Sequence, residues 1–135
     1  MFIQTTDYNN FRISLNSNAK NVNLELYSNK EYDSFRVYTH STHDCGFAIT
    51  PSNELINLFN NSRVKGLGKE AIRAAIELGA DNLNCFDGPL VSIYESMGFT
   101  ETSRVAFNPN IAPSNWNNTM GTPDVVFLQI PLKIS

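Results

Sequence analysis

The run from Leu55 to Gly79, "LINLFNNSRVKGLGKEAIRAAIELG", constrains this chain more than any other segment. An apolar stretch passes through polar residues and two glycines into an alanine-rich run. Leu67, Ala71, Ala74, Ala75 and Leu78 recur at helical spacing, and Ile72 and Ile76 widen that stripe. Lys69, Arg73 and Glu77 step along the opposite face, and Gly79 is placed to close the helix. The predicted unit is a strand, a glycine loop and a helix. Glycines let the backbone approach a ligand closely, and free amides plus the dipole at a helix N-terminus attract anions. Lys65, Lys69 and Arg63 add positive charge at the same place.

The flanks extend the pattern. "CGFAIT" and "ELINLFN" lie either side of the turn "PSN" and read as a β-hairpin. Nearer the start, "MFIQ" reads as a short strand and Asp7 as the cap of a weak helix. Ser28 and Glu31 form a capping-box pattern, and Tyr32, Phe35 and Tyr38 follow at helical spacing, predicting a second helix through that region. Downstream come a strand in "NLNCFD", a helix in "PLVSIYESMG" opened by Pro89 and ended by Gly98, and a strand in "FTETSRVAFN". The long loop "PNIAPSNWNNTMGTP" precedes a final strand, "DVVFLQIPL". Trp116 in that loop reads as a plug over the core or as part of a ligand-side wall. No repeat or linker divides the 135 residues, so they read as one domain of mixed α/β or α+β type.

Charge and composition exclude several functions. A net charge of −3 argues against a nucleic-acid or anionic-membrane binder. No apolar run approaches the ~20 residues that span a bilayer, and no secretory signal opens the chain. Cys45 and Cys85 are too few for a disulfide framework, so a reduced, cytoplasmic protein is expected. "THSTHDC" clusters His40, His43, Asp44 and Cys45, but without zinc-site spacing. It reads as a polar turn entering a strand, and no metal is expected.

Three devices could use the glycine loop. A Walker A loop needs a glycine where Arg63 stands and a Ser or Thr where Glu70 stands, so spacing excludes it. A dinucleotide-binding unit fits Gly66, Gly68 and Ala71, with Asp87 as the ribose acid. Against it, the preceding strand looks paired in a hairpin, and too little chain follows Asp87 to complete a doubly wound sheet.

The third device accounts for more residues. Arg63, Gly66 and Gly68 spell R-x-x-G-x-G, and "IYESMGF" from Ile93 to Phe99 spells Y-x-x-x-G-F on the next helix and strand. With these two motifs at this separation, the segment from Cys45 to Phe99 resembles the GNAT family of acyl-CoA-dependent N-acetyltransferases. The resemblance implies a mixed central sheet with helices on both faces, acetyl-CoA as the cofactor, and an amine-bearing small molecule or protein as acceptor. It implies that Arg63, Val64, Lys65, Gly66, Leu67, Gly68 and Lys69 hold the pyrophosphate. It places pantetheine along Asn57 to Asn60, that is against Leu58, Phe59 and Asn60, with Cys85 and Phe86 on the far wall. Asn60-Asn61 is expected to form a bulge that ends the strand pairing. The backbone N–H near Leu58 would polarise the acyl carbonyl. Tyr94 would protonate the leaving thiolate, although it also reads as a semi-buried helix aromatic. Glu54 is the candidate general base, although it also reads as a solvated hairpin-edge acid. Asp87 and Leu90 stand where the family often has an Asn and a small Ala. A second implied reading is a catalytically degenerate GNAT-fold accessory protein, for example viral or mobile-element encoded, that acts through protein contact.

Overall fold

The computed structural model describes residues 1–17, 27–106 and 124–131. The elements run β1 (Phe2–Gln4), α1 (Tyr8–Asn16), α2 (Asn29–Ser34), β2 (Arg36–His40), β3 (Cys45–Ile49), β4 (Leu55–Asn60) and α3 (Leu67–Glu77). They continue with β5 (Asn82–Phe86), α4 (Pro89–Ser96), β6 (Thr100–Val105) and β7 (Val125–Gln129). The loop that contains Trp116 lies outside the described residues.

Local chemistry places the early helices. Asp7 Oδ1 accepts from the Asn10 amide at 3.2 Å and opens α1. Both bonds of the capping box form at α2: the Glu31 amide donates to Ser28 Oγ at 3.2 Å, and the Ser28 amide donates to Glu31 Oε1 at 3.1 Å. The expected helix through Phe35 and Tyr38 is shorter than its spacing predicts. It stops at Ser34, Phe35 turns extended (ψ 171°), and Arg36–His40 is a strand. "FRVYTH" is rich in β-branched and aromatic residues, and strand pairing on both sides satisfies its backbone while burying Val37 and Tyr38.

Two antiparallel sheets result, ordered β1-β2-β3-β4 and β5-β7-β6. Among the described residues they meet through one parallel bridge, Glu54 with Asn82. The joint is reinforced where the Asp81 amide donates to Asn53 O at 3.0 Å and Asn84 Nδ2 donates to Glu54 Oε2 at 2.8 Å. Beyond that joint β4 and β5 belong to different sheets and separate, each leading into a helix.

The first sheet is covered on both faces, so every residue of β3 is buried. One core gathers Phe47, Ile49 and Leu55 against α3, α4 and the second sheet, including Leu67, Ala71, Tyr94 and Leu128. The other packs Val37, Ala48 and Phe59 against Phe11, Leu15 and Tyr32 of α1 and α2. Each such side chain, once buried, contributes about 1.5–3 kcal/mol of transfer free energy.

The β3–β4 pairing slips once, from Gly46↔Phe59 to Ala48↔Ile56, so Asn57 and Leu58 together oppose Phe47. Asn57 takes φ 51°. The bulge therefore sits at Asn57 and not at Asn60-Asn61, where sequence placed it. Asn60 remains paired with Cys45, and the Asn61 amide still reaches Asp44 O at 2.8 Å. Asn tolerates left-handed backbone better than the apolar residues around it, which is why the extra residue falls there.

Candidate functional site

The loop between β4 and α3 is held by its own polar residues. Asn61 Nδ2 donates to Ser14 O at 2.7 Å and to Asp44 Oδ2 at 2.9 Å, tying the loop to α1 and to the β2–β3 turn. Asn60 Oδ1 accepts from the Ser62 amide at 3.0 Å, and Ser62 Oγ accepts from the Val64 amide at 3.0 Å. Gly66 then enters the helix at φ 85°, where only glycine sits without strain. The Glu70 amide bonds Gly66 O at 3.1 Å, but the amides of Gly68 and Lys69 have no acceptor among the described residues. These are the second and third positions of α3, where a capping side chain would normally accept, and Gly66 has none.

Among the described residues, the space beside the two glycines is open. A Cβ at Gly66 would meet nothing within 4 Å, and one at Gly68 only Asn60 Nδ2 at 3.8 Å. Packing against the described residues does not require either residue to be small. Arg63, Val64 and Lys65 are exposed, as is Lys69, and none of these three cations pairs with a carboxylate among the described residues. The loop thus presents two unengaged N–H donors and three uncompensated cations around an empty volume, an arrangement that fits a pyrophosphate.

From this loop the split between β4 and β5 leads towards the Glu54–Asn82 joint. On β4, Leu58 is half-buried against the α3 core, whereas Phe59 is buried on the opposite face against Phe11 at 5.4 Å. Leu67 is 1% exposed. Phe59 and Leu67 can therefore offer a ligand only their main chain. Across the split, Cys85 and Phe86 of β5 are half-buried. Burial, then the Asp87 charge, pushes the Cys85 thiol up to about 11.

Tyr94 lies on α4 with 6% of its surface exposed, its ring edge-to-face with Phe99 at 5.7 Å. Its hydroxyl makes no hydrogen bond with another of the described residues. Burial, reinforced by Cys85, raises its pKa well above that of free tyrosine. The two motif residues Tyr94 and Phe99 thus pack on each other, and the phenol stays protonated at neutral pH.

The other sequence candidates separate. Glu54 is half-buried at the closed end of the split and accepts from Asn84, a contact that sequence reasoning missed. Asp87 is on the surface, paired with Arg104 at 2.9 Å, and Arg104 also reaches Glu101 at 2.8 Å and Asp124 at 3.4 Å. Such exposed pairs contribute ~0–1 kcal/mol each. Leu90 is 43% exposed. In the histidine cluster, His40 Nδ1 accepts from the Thr42 and His43 amides at 3.1 and 3.2 Å, Asp44 accepts from Asn61, and Cys45 is buried in the core. Those donors point at different partners, as a polar turn requires, and no cluster of three metal-ligating side chains occurs among the described residues. No helix among them is long and apolar enough to cross a membrane.

No protein-family model matches the chain, and no curated protein matches it. Solved structures do. A GNAT family acetyltransferase from Elizabethkingia anophelis, with acetyl-CoA bound, aligns with TM-score 0.57 and 15% identity over 76% of this chain and 80% of that one. An acetyltransferase from Bacillus subtilis in complex with CoA aligns with TM-score 0.50 and 20% identity over 77% of this chain and 82% of that one. A ribosomal-protein-alanine N-acetyltransferase from Brucella melitensis aligns with TM-score 0.58 and 15% identity over 98% of this chain and 99% of that one. This chain therefore has the fold of the GNAT acetyltransferases.

Proposed function

We propose that this chain is an acetyl-CoA-dependent N-acetyltransferase acting on a primary amine. The observation that carries the reading is the loop Arg63–Lys69, which among the described residues has two amides without acceptors, open space at Gly66 and unpaired cations, at the mouth of the β4–β5 split. Two structures of the same fold hold CoA or its acetyl ester, which supports the choice of ligand.

In this reading the Gly68 and Lys69 amides, with Arg63, Lys65 and Lys69, bind the pyrophosphate. Val64, Gly66 and Leu67 shape the cradle through their backbone, and Leu58, Phe59 and Asn60 line the pantetheine arm through theirs. The amine nitrogen forms a bond to the thioester carbonyl carbon, and the carbon–sulfur bond breaks. The Leu58 N–H polarises the carbonyl, Tyr94 delivers its proton to the departing thiolate, and Glu54 takes the proton that the ammonium must lose. The unpartnered phenol, protonated at neutral pH, supports the role of Tyr94. The half-buried carboxylate beside the split supports that of Glu54.

The test is calorimetric titration with acetyl-CoA, followed by thiol release in the presence of polyamines and short peptides. Binding with turnover supports the reading, and no binding refutes it. The degenerate-homologue reading draws on Glu54 being engaged by Asn84 and Asp87 by Arg104. Acetyl-CoA binding without thiol release across those amines favours it.

A further inference from the structure

The one buried polar side chain among the described residues is Asn57, at the bulge of β4. Its Oδ1 accepts from the Tyr32 hydroxyl at 2.8 Å, a buried bond across 25 residues of sequence. Tyr32 is fully buried in α2, and its ring is fixed on several sides: Tyr8 stacks at 5.5 Å, Phe11 meets it edge-on at 5.6 Å, and the Arg12 guanidinium lies 5.7 Å from its centroid. Its position is set by that packing, so the hydroxyl is a fixed point for Asn57.

The consequence lies on the other face of the strand. Strict alternation along "LINLFN" would put Leu55, Asn57 and Phe59 on one face. Instead Ile56, Asn57 and Phe59 all face α1 and α2, while Leu55 and Leu58 face the α3 core. Two successive residues on one face is the signature of the bulge, and it reverses the phase of everything that follows. A strand that slipped to regular pairing would turn Leu58 away from the α3 core.

We propose that Tyr32 is a positioning residue for the acyl site: by holding Asn57 in its left-handed conformation, it keeps the bulge and so aims the Leu58 segment of β4 into the split. The inference rests on the acyltransferase reading, because it is the acyl carbonyl that the Leu58 amide would contact. The Tyr32 hydroxyl never touches the ligand.

A comparison of two ligands isolates this contact, because CoA and acetyl-CoA differ only in the acetyl group that replaces the thiol hydrogen. Calorimetric titrations give the ratio of their dissociation constants, for wild type, Tyr32→Phe, Asn57→Gly and the double variant. Asn57→Gly keeps the left-handed backbone accessible while removing the tether. Wild type is expected to bind acetyl-CoA about five-fold more tightly than CoA, the worth of one hydrogen bond. Tyr32→Phe and Asn57→Gly should each bring the ratio close to one, whatever they do to the affinity for CoA itself, whose pantetheine arm runs along the same strand. The double variant should be no worse than either. A purely structural role would weaken both ligands in proportion and leave the ratio intact, which overturns the inference. Equal binding of the two ligands by wild type overturns it too. Failure of wild type to bind either ligand overturns the acyltransferase reading, and with it this inference.

Discussion

Placing an acceptor at Gly66 sets stability and binding against each other. At φ 85° an alanine there bears left-handed strain of about 1–2 kcal/mol, and since none of the described residues lies within 4 Å of its Cβ, they add no clash to it. On a chain of this size that lowers Tm by roughly 3–8 °C. Aspartate tolerates the left-handed region better, and its carboxylate can cap the Gly68 and Lys69 amides for about 1 kcal/mol, so Gly66→Asp should melt within a few degrees of wild type. Those amides are the ones a pyrophosphate needs. Each is worth about 1.5–3 kcal/mol as a charge-assisted bond, so their occupation together with a like charge should weaken CoA binding at least ~10–100-fold. Gly66→Ala, which leaves the amides free, should lose less affinity than it loses stability. Gly66→Asn carries a cap without a charge and should fall between. Scanning calorimetry and CoA titration at two salt concentrations measure both quantities, and wild-type affinity should fall with salt because Arg63, Lys65 and Lys69 are exposed. Equal CoA binding by wild type and Gly66→Asp refutes the cradle.

Further outcomes follow from the same geometry. Tyr94→Phe should lower thiol release about 10²–10⁴-fold with acetyl-CoA affinity unchanged, and should cost little stability because the hydroxyl has no partner to lose among the described residues. With its pKa raised by burial, Tyr94 stays a proton donor at every pH below the ordinary tyrosine value, so an alkaline fall in rate near neutral pH would count against it. The same raised values, with Cys45 and Cys85 both pushed up to about 11, support the fold fully below the unfolded pKa of these groups; thermal stability should decline as pH rises through 9 towards 11. Glu54→Gln keeps an acceptor for Asn84, so it should lower the rate at limiting amine with Tm nearly unchanged; an unaltered rate rules out Glu54 as the base. Gly46→Ala places a Cβ 2.6 Å from Tyr38 O and 3.0 Å from Phe59 Cε1, on backbone and a packed ring, and should lower stability by about 1–3 kcal/mol or more in denaturant titration.

Much of this was readable from the chain itself. Helix α3 came from a period of apolar residues that its burial repeats: Leu67, Ala71, Ile72 and Ala75 are all covered. The caps at Asp7 and Ser28, the hairpin of β3 and β4, and the glycine loop are local chemistry, with donors and acceptors a few residues apart, so residue order alone specifies them. The GNAT fold was legible because two motifs bracket one strand-helix unit. Tertiary structure decided what depends on distant partners. Arg36–His40 became a strand because β1 and β3 were there to pair with it, against a helical spacing of aromatics. The bulge lies not at Asn60-Asn61 but at Asn57, which takes the left-handed backbone and accepts a buried hydrogen bond from Tyr32, 25 residues earlier in the chain. Whether Gly66 and Gly68 are small for packing or for a ligand was likewise undecidable from spacing. The open volume beside two unengaged amides favours a ligand, because in the fold no side chain among the described residues comes to fill that space.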